Sequence, residues 1–379
     1  MQLKSKLPYI QRHIFSHMSA LSNEFGAVNL SQGFPDFDPD PRLLNLVDIC
    51  IKEGANQYAP MPGLPLLRQQ IARKISSDYG VGVDFESEIT IGTGATEMIF
   101  SAIMATVWPA DEVIIIEPCY DCYRPAIDLA GAKTVVYKMR APEFKVDWAE
   151  FKKLVSHKTR MICICTPNNP TGTVLDDSDM KALCSIVEGT DILIMSDEVY
   201  GHMVFDGRKP ISPLQYPELR KRTFSCFSFG KTFHVTGWKV GYCVAPEMLT
   251  KELRKVHQTA TYCASHPLQK AIGLYMENFA QPDPVGFFER KRDLLLEASA
   301  GTKLKPLKCD GAYFQLFDFS DVSRESDFDF CVRLIKDHGV TAIPVSHLYS
   351  DSHDDKLIRL CFAKKDETLL EAGRRLVEI

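Results

Sequence analysis

The sequence predicts an α/β protein built on a mostly parallel sheet, and three observations carry that prediction. Short apolar runs recur at 88–91, 113–116, 161–165, 192–195, 223–227 and 240–245. The intervals leave room for helices, and several hold helix-like stretches, as at 178–187, where Asp176 or Asp177 supplies an N-cap. Strand and helix alternating at this spacing is the pattern of a sheet with crossover helices. The runs also end in polar, glycine-rich or proline-rich segments: GTGATE, EPCYDCY, TPNNPTG, SDEVYG and SFGKTF. Ligands of open α/β sheets bind outside the carboxyl ends of the strands, so the chemistry-bearing residues are expected on one rim.

After about residue 280 the character changes. Gln281-Pro282-Asp283-Pro284 reads as a break, followed by a charged helix at 287–299. Strand candidates at 313–319 and 357–362 flank a helix at 328–337, the mark of a smaller α+β domain. The stretch before residue 45 is too short to fold alone. The expected division is therefore 1–45 packing with the small domain, 46–280 as the large domain and 281–379 as the small one. At roughly 150 residues per domain the length fits two or three units.

Composition narrows the function classes. With 379 residues, 45% of them hydrophobic and 25% charged, the chain falls among ordinary soluble globular proteins. Net charge is −5 and no long Lys/Arg run occurs, which speaks against a nucleic-acid surface. Apolar runs such as 113–116 are far too short to cross a bilayer, so no membrane partner is expected. Basic residues near the start have no apolar stretch behind them and do not read as a secretory signal. A cytoplasmic location follows. Most of the twelve cysteines sit in apolar runs (Cys163, Cys165, Cys226, Cys243, Cys361), where the thiol acts as a small hydrophobe. The single C-x-x-C, Cys119 to Cys122, has no second pair at zinc spacing, so no metal is expected.

The chemistry centres on Lys231, in SFGKT just after an apolar run. A loop lysine is ordinarily solvated and inert, but one partly desolvated near other cations loses basicity and forms imines with aldehydes. Its neighbours favour the second reading. Ser228 and Lys239 offer a hydroxyl and a cation suited to a phosphate. Gly94-Ala95-Thr96-Glu97 follows a strand and opens a helix, where backbone amides and the Thr96 hydroxyl can receive a phosphate; such turns also arise simply for capping. Asp197, at the end of the 192–195 run, can hold a pyridinium nitrogen protonated, or can merely cap a helix. Tyr200 and Asn169 can reach a ring hydroxyl, although Asn169 also suits a turn before proline. Tyr120 is placed to stack on an aromatic ring.

NPTG, SDEVY, SFGK and GWKVGY, in that order, resemble the fold-type I, class I/II pyridoxal-phosphate aminotransferases, and the resemblance runs through essentially the whole chain. NLSQGFPDF (29–37), NQYAPMPG (56–63) and AIPVS (342–346) are similar to the branch of kynurenine aminotransferase, glutamine transaminase K and bacterial methionine aminotransferases. The resemblance implies a large domain with a seven-stranded, mostly parallel sheet and pyridoxal 5'-phosphate as cofactor. It implies Lys231 as the Schiff-base lysine and proton shuttle, Asp197 against the pyridine nitrogen, Asn169 and Tyr200 on the ring oxygen, and Tyr120 stacked on the ring. Ala95, Thr96, Ser228 and Lys239 would hold the phosphate. Tyr58 matches a tyrosine reaching the phosphate of the neighbouring subunit, which implies a homodimer. Arg359 matches the arginine that clamps the substrate α-carboxylate, and Gly33 the glycine lying against it.

The resemblance also places Phe15 in the substrate pocket, with Tyr262 approaching from the partner subunit; Phe15 can equally be core on an amphipathic helix. An aromatic-lined pocket favours methionine, glutamine, aromatic amino acids or kynurenine, passing the amino group to a 2-oxo acid in ping-pong fashion. A carbon–sulfur β-lyase using the same residues is the alternative. A non-catalytic binding protein is expected to lack the lysine or the aspartate, and both are present.

Overall fold

The computed structural model describes residues 3–10, 13–280 and 283–379. Its first strand, β1 (Val28–Asn29), is followed by the seven strands of one sheet. These are β2 (Ile89–Gly92), β3 (Glu112–Glu117), β4 (Lys133–Lys138), β5 (Thr159–Cys165), β6 (Leu193–Asp197), β7 (Thr223–Ser228) and β8 (Gly241–Val244). Their spatial order is β2-β8-β7-β6-β5-β3-β4. Neighbours from β7 to β4 run parallel, while β8 is antiparallel to both β7 and β2.

Six of these strands are the six apolar runs of the sequence. The seventh, β4, reads KTVVYK and lies at the sheet edge, partly exposed along its length. A strand so placed needs no continuous apolar run, so its signal is weak. The interior strands are covered on both faces, and the period of two is visible in what they cover. Val113 and Ile115 enter one apolar cluster with Ile99 and Ile103, whereas Ile114 and Ile116 enter another with Leu183 and Ile194. The helix Asp177–Val187 begins at Asp176, whose side chain accepts from Ser178 N and Asp179 N in a capping box.

Five further strands follow: β9 (Lys305–Pro306), β10 (Phe314–Asp318), β11 (Val340–Thr341), β12 (Ile343–Pro344) and β13 (Leu357–Cys361). Four of them form an antiparallel sheet in the order β12-β13-β10-β9, and β11 pairs in parallel with β1. Phe15 and Met18 of the helix Ile14–Phe25 pack in the same apolar cluster as Phe330 and Leu334 of the helix Asp327–His338. At the expected break, Asp283 caps the helix Pro284–Ala298; Gln281 and Pro282 lie outside the described residues. Among the described residues no helix is long and apolar enough to cross a membrane.

Candidate active site

A cavity of about 240 Å³ opens where the strands of the large sheet end. Asp197 is the last residue of β6 and Ser228 the last of β7, and Lys231 follows in the short helix Phe229–Thr232. Ala95 and Thr96 begin the helix after β2, Asn169 follows β5, and Arg359 reaches in from the middle of β13. All seven of these line the cavity together with Phe15, Gly33, Tyr120, Tyr200 and Lys239. Tyr58 does not. It is 81% exposed and meets Tyr262, itself 44% exposed, edge to face at 5.3 Å.

Lys231 Nζ donates to Gly33 O at 2.8 Å and to Tyr313 Oη at 2.6 Å. Burial takes its pKa down to about 8, and the positive charges of Arg359 and Lys239 push the same way. A larger share of its amine is therefore neutral near physiological pH than for an exposed lysine. Asp197 is 4% exposed and accepts from Tyr123 Oη at 2.6 Å and from Val199 N at 3.2 Å. Burial pushes its carboxyl above the usual carboxylate range. A protonated ring nitrogen would supply the cationic donor this carboxylate lacks in its present hydrogen-bond set.

The turn after β2 is shaped to receive an anion. Gly94 has φ +83° and caps the helix Ala95–Thr106 without any side-chain hydrogen bond. A Cβ at Gly94 would come within 3.2 Å of Lys239 Nζ, so glycine leaves the lysine room beside the helix N-terminus. A Cβ at Gly241 would lie 2.5 Å from Ala95 N. Free amides, the hydroxyls of Thr96 and Ser228, and the Lys239 cation thus border one cavity.

Arg359, 1% exposed, donates from Nη1 to Asn169 Oδ1 at 2.6 Å and from Nη2 to Ser31 O at 2.9 Å. Its carbon Cζ lies 4.0 Å from the Phe314 ring centre and 4.9 Å from that of Phe15. Its Nε is buried without a hydrogen-bond partner among the described residues. The guanidinium packs against two aromatic rings and keeps donor capacity for a planar anion.

Three residues here escaped the sequence reading. Tyr123, the partner of Asp197, opens the helix Tyr123–Leu129; its signal was the same EPCYDCY segment that supplied Tyr120. Tyr313 and Phe314 come from GAYF, where the only cue was strand character. The cysteines of the C-x-x-C are free, as are the other ten. Among the described residues no group of three or more His, Cys, Asp or Glu is arranged to hold a metal ion.

A buried lysine of lowered basicity, a buried carboxylate and a helix N-terminus without a side-chain cap beside a second lysine fit pyridoxal phosphate. Fold and site together define a fold-type I pyridoxal-phosphate enzyme. The chain belongs to the class I and II aminotransferases, whose family model matches residues 26–376. It is 46% identical to the methionine aminotransferase of Escherichia coli K12 over 381 aligned positions, covering 99% of this chain and 98% of that one. It is 32% identical to human kynurenine–oxoglutarate transaminase 1, covering 94% and 93%. The crystal structure of YbdL from Escherichia coli, described as having a methionine aminotransferase function, superposes with a TM-score of 0.96 at 45% identity over the full length of both chains. The protein is thus a pyridoxal-phosphate-dependent aminotransferase, moving an amino group between an amino acid and a 2-oxo acid.

Proposed function

We propose that its amino donors are methionine and related apolar, amide or aromatic amino acids, glutamine and kynurenine included. The observation that carries this reading is Arg359 packed between Phe15 and Phe314. The guanidinium suits an α-carboxylate and the rings suit an apolar side chain. Among the described residues lining the cavity Arg359 is the single arginine, so none remains for a side-chain carboxylate. The likeness to the Escherichia coli methionine aminotransferase supports the same donor class.

Pyridoxal phosphate, when bound, supplies an aldehyde for the incoming amino group and a ring that takes up the electron pair left by the α-proton. In our reading Ala95, Thr96, Ser228 and Lys239 bind the phosphate, and Tyr120 covers the ring. Asp197 holds the proton on the ring nitrogen, while Asn169 and Tyr200 hold the ring oxygen. Arg359 and the Gly33 peptide orient the substrate carboxylate. Lys231 would hold the cofactor through its aldehyde, and its Nζ, when free, would accept and return the substrate α-proton. Its lowered pKa supports that role, because a base must be neutral to accept a proton.

The working unit we propose is a cytoplasmic homodimer in which Tyr58 and Tyr262 serve the neighbouring subunit. Their exposure in one chain and all twelve cysteines being free support this. Within each subunit, 46–280 forms the large domain and 281–379 the small one, with 1–45 packed against the latter; the β1·β11 pair supports that division. The test is a panel of amino donors against one 2-oxo acid. Methionine should yield 4-methylthio-2-oxobutanoate without ammonia. Strong preference for aspartate, or pyruvate and ammonia from cystathionine at a comparable rate, would overturn the reading.

A further inference from the structure

The carbonyl groups of residues 31–34 are held one after another by side chains. Arg359 Nη2 donates to Ser31 O at 2.9 Å, and Lys364 Nζ donates to Gln32 O at 3.3 Å and Phe34 O at 2.7 Å. Gly33 O, between them, accepts from Lys231 Nζ at 2.8 Å and from Tyr313 Oη at 2.5 Å. Backbone carbonyls in a helix or sheet are satisfied by other backbone groups; here side chains replace them.

Lys231, Tyr313 and Arg359 meet at the site already described, but Lys364 is not part of the cavity lining. It lies three residues beyond β13, 2% exposed, with Nζ 5.1 Å from the centre of the Phe34 ring. Burying an ammonium group is expensive unless it is well hydrogen-bonded. Among the described residues its hydrogen bonds go to carbonyl oxygens and not to a carboxylate, so it does not act as half of an ion pair. The two acceptors bracket Gly33: Gln32 O fixes the peptide before it and Phe34 O the peptide after its neighbour, while Gly33 O is held by Lys231 and Tyr313.

Phe314 leaves little room for a side chain at Gly33. A Cβ there would lie 3.1 Å from Phe314, the ring on which Arg359 rests at 4.0 Å. Lys364, bound on either side of Gly33, thus joins Arg359, Lys231 and Tyr313 in setting the distance between the Gly33 peptide and the guanidinium. We propose that Lys364 is a positioning residue of the α-carboxylate subsite, holding the 31–34 segment in register with Arg359. The inference rests on the reading that Gly33 and Arg359 receive that carboxylate.

The experiment compares the wild-type holoenzyme with Lys364→Met on two donors, L-methionine and 3-(methylthio)propylamine. The second keeps the amine and side chain and lacks the carboxylate. Single-turnover amino transfer is followed by the absorbance of the bound cofactor, and melting temperature and cofactor affinity are measured alongside. The half-saturating methionine concentration should rise about tenfold or more, with the saturated rate changed by less than about threefold and the amine handled as in wild type. Preference for the carboxylated donor then falls about tenfold. An unchanged preference, or equal losses on both donors, overturns the proposal. Should Lys364→Met fail to fold, Lys364→Gln is measured with the same expectations. Arg359→Ala separates the two readings. If it abolishes the preference and the Lys364 variant does not, Lys364 alone is misassigned; if it leaves the preference intact, the carboxylate subsite itself is elsewhere.

Discussion

Replacing Glu198 with glutamine should stabilise the protein above neutral pH. Glu198 is 1% exposed, just past Asp197 at the end of β6, and neither of its carboxyl oxygens has a hydrogen-bond partner among the described residues, although the Ser196, Ser212 and Ser225 hydroxyls lie near. Burial pushes its carboxyl from 4.5 up to about 7. Between those two values the folded chain holds a proton that the unfolded chain has released. Stability contributed by this group is thus complete below pH 4.5 and is lost as pH rises through 7. A rise of that size corresponds to about 3 kcal/mol once the group is ionised. Glutamine has the same shape and no proton to lose. The stability difference between Glu198→Gln and wild type should therefore widen by about 2.5 kcal/mol in favour of the variant between pH 5 and pH 8. Urea unfolding of both holoenzymes at several pH values, at fixed protein concentration, measures that difference. A gap independent of pH, or one closing as pH rises, would refute burial as the cause.

Lys231→Ala should abolish amino transfer while leaving cofactor binding measurable by equilibrium dialysis; normal turnover would exclude Lys231 as the proton carrier. Tyr313→Phe removes one acceptor from the Lys231 amine, so acylation of that amine in cofactor-free protein should reach half-maximal rate about half a pH unit lower than in wild type. An unchanged midpoint would show that the phenol does not act on the lysine. For Tyr58, mixed dimers of Lys231→Ala and Tyr58→Ala subunits contain one fully intact site if the tyrosine serves its neighbour. Random reassociation should then restore about a quarter of wild-type activity. No recovery above the Tyr58→Ala homodimer would place the tyrosine in its own subunit's site.

The large sheet was legible because its interior strands are buried on both faces and read as unbroken apolar runs. β4 was not, because an edge strand can carry lysines at both ends and expose much of its surface. Ala95, Ser228 and Asp197 were legible for a related reason: each ends a strand or opens the helix after one, where a parallel sheet gathers its ligands. Arg359 gave no such cue. It sits in the middle of β13, and only the fold brings it to Asn169, 190 residues earlier. Tyr313 and Lys364 were invisible for the same reason, since their partners in 31–34 are joined to them by tertiary structure alone. Tyr123 lies in EPCYDCY beside Tyr120, but its partner Asp197 is 74 residues away, so the local segment does not distinguish the two tyrosines.

Gly33 and Tyr313 are 280 positions apart in the chain and share a hydrogen bond beside the reactive lysine. A ribosome delivers them at opposite ends of synthesis. While the strands that carry Asp197 and Lys231 emerge from the exit tunnel, Phe314 and Arg359, which complete the pocket, are still unmade. A nascent chain can therefore form the floor for the cofactor before it has the wall for the amino acid. A chain released before residue 313 retains Lys231 and the Gly33 carbonyl but lacks the Tyr313 hydroxyl and the Arg359 guanidinium.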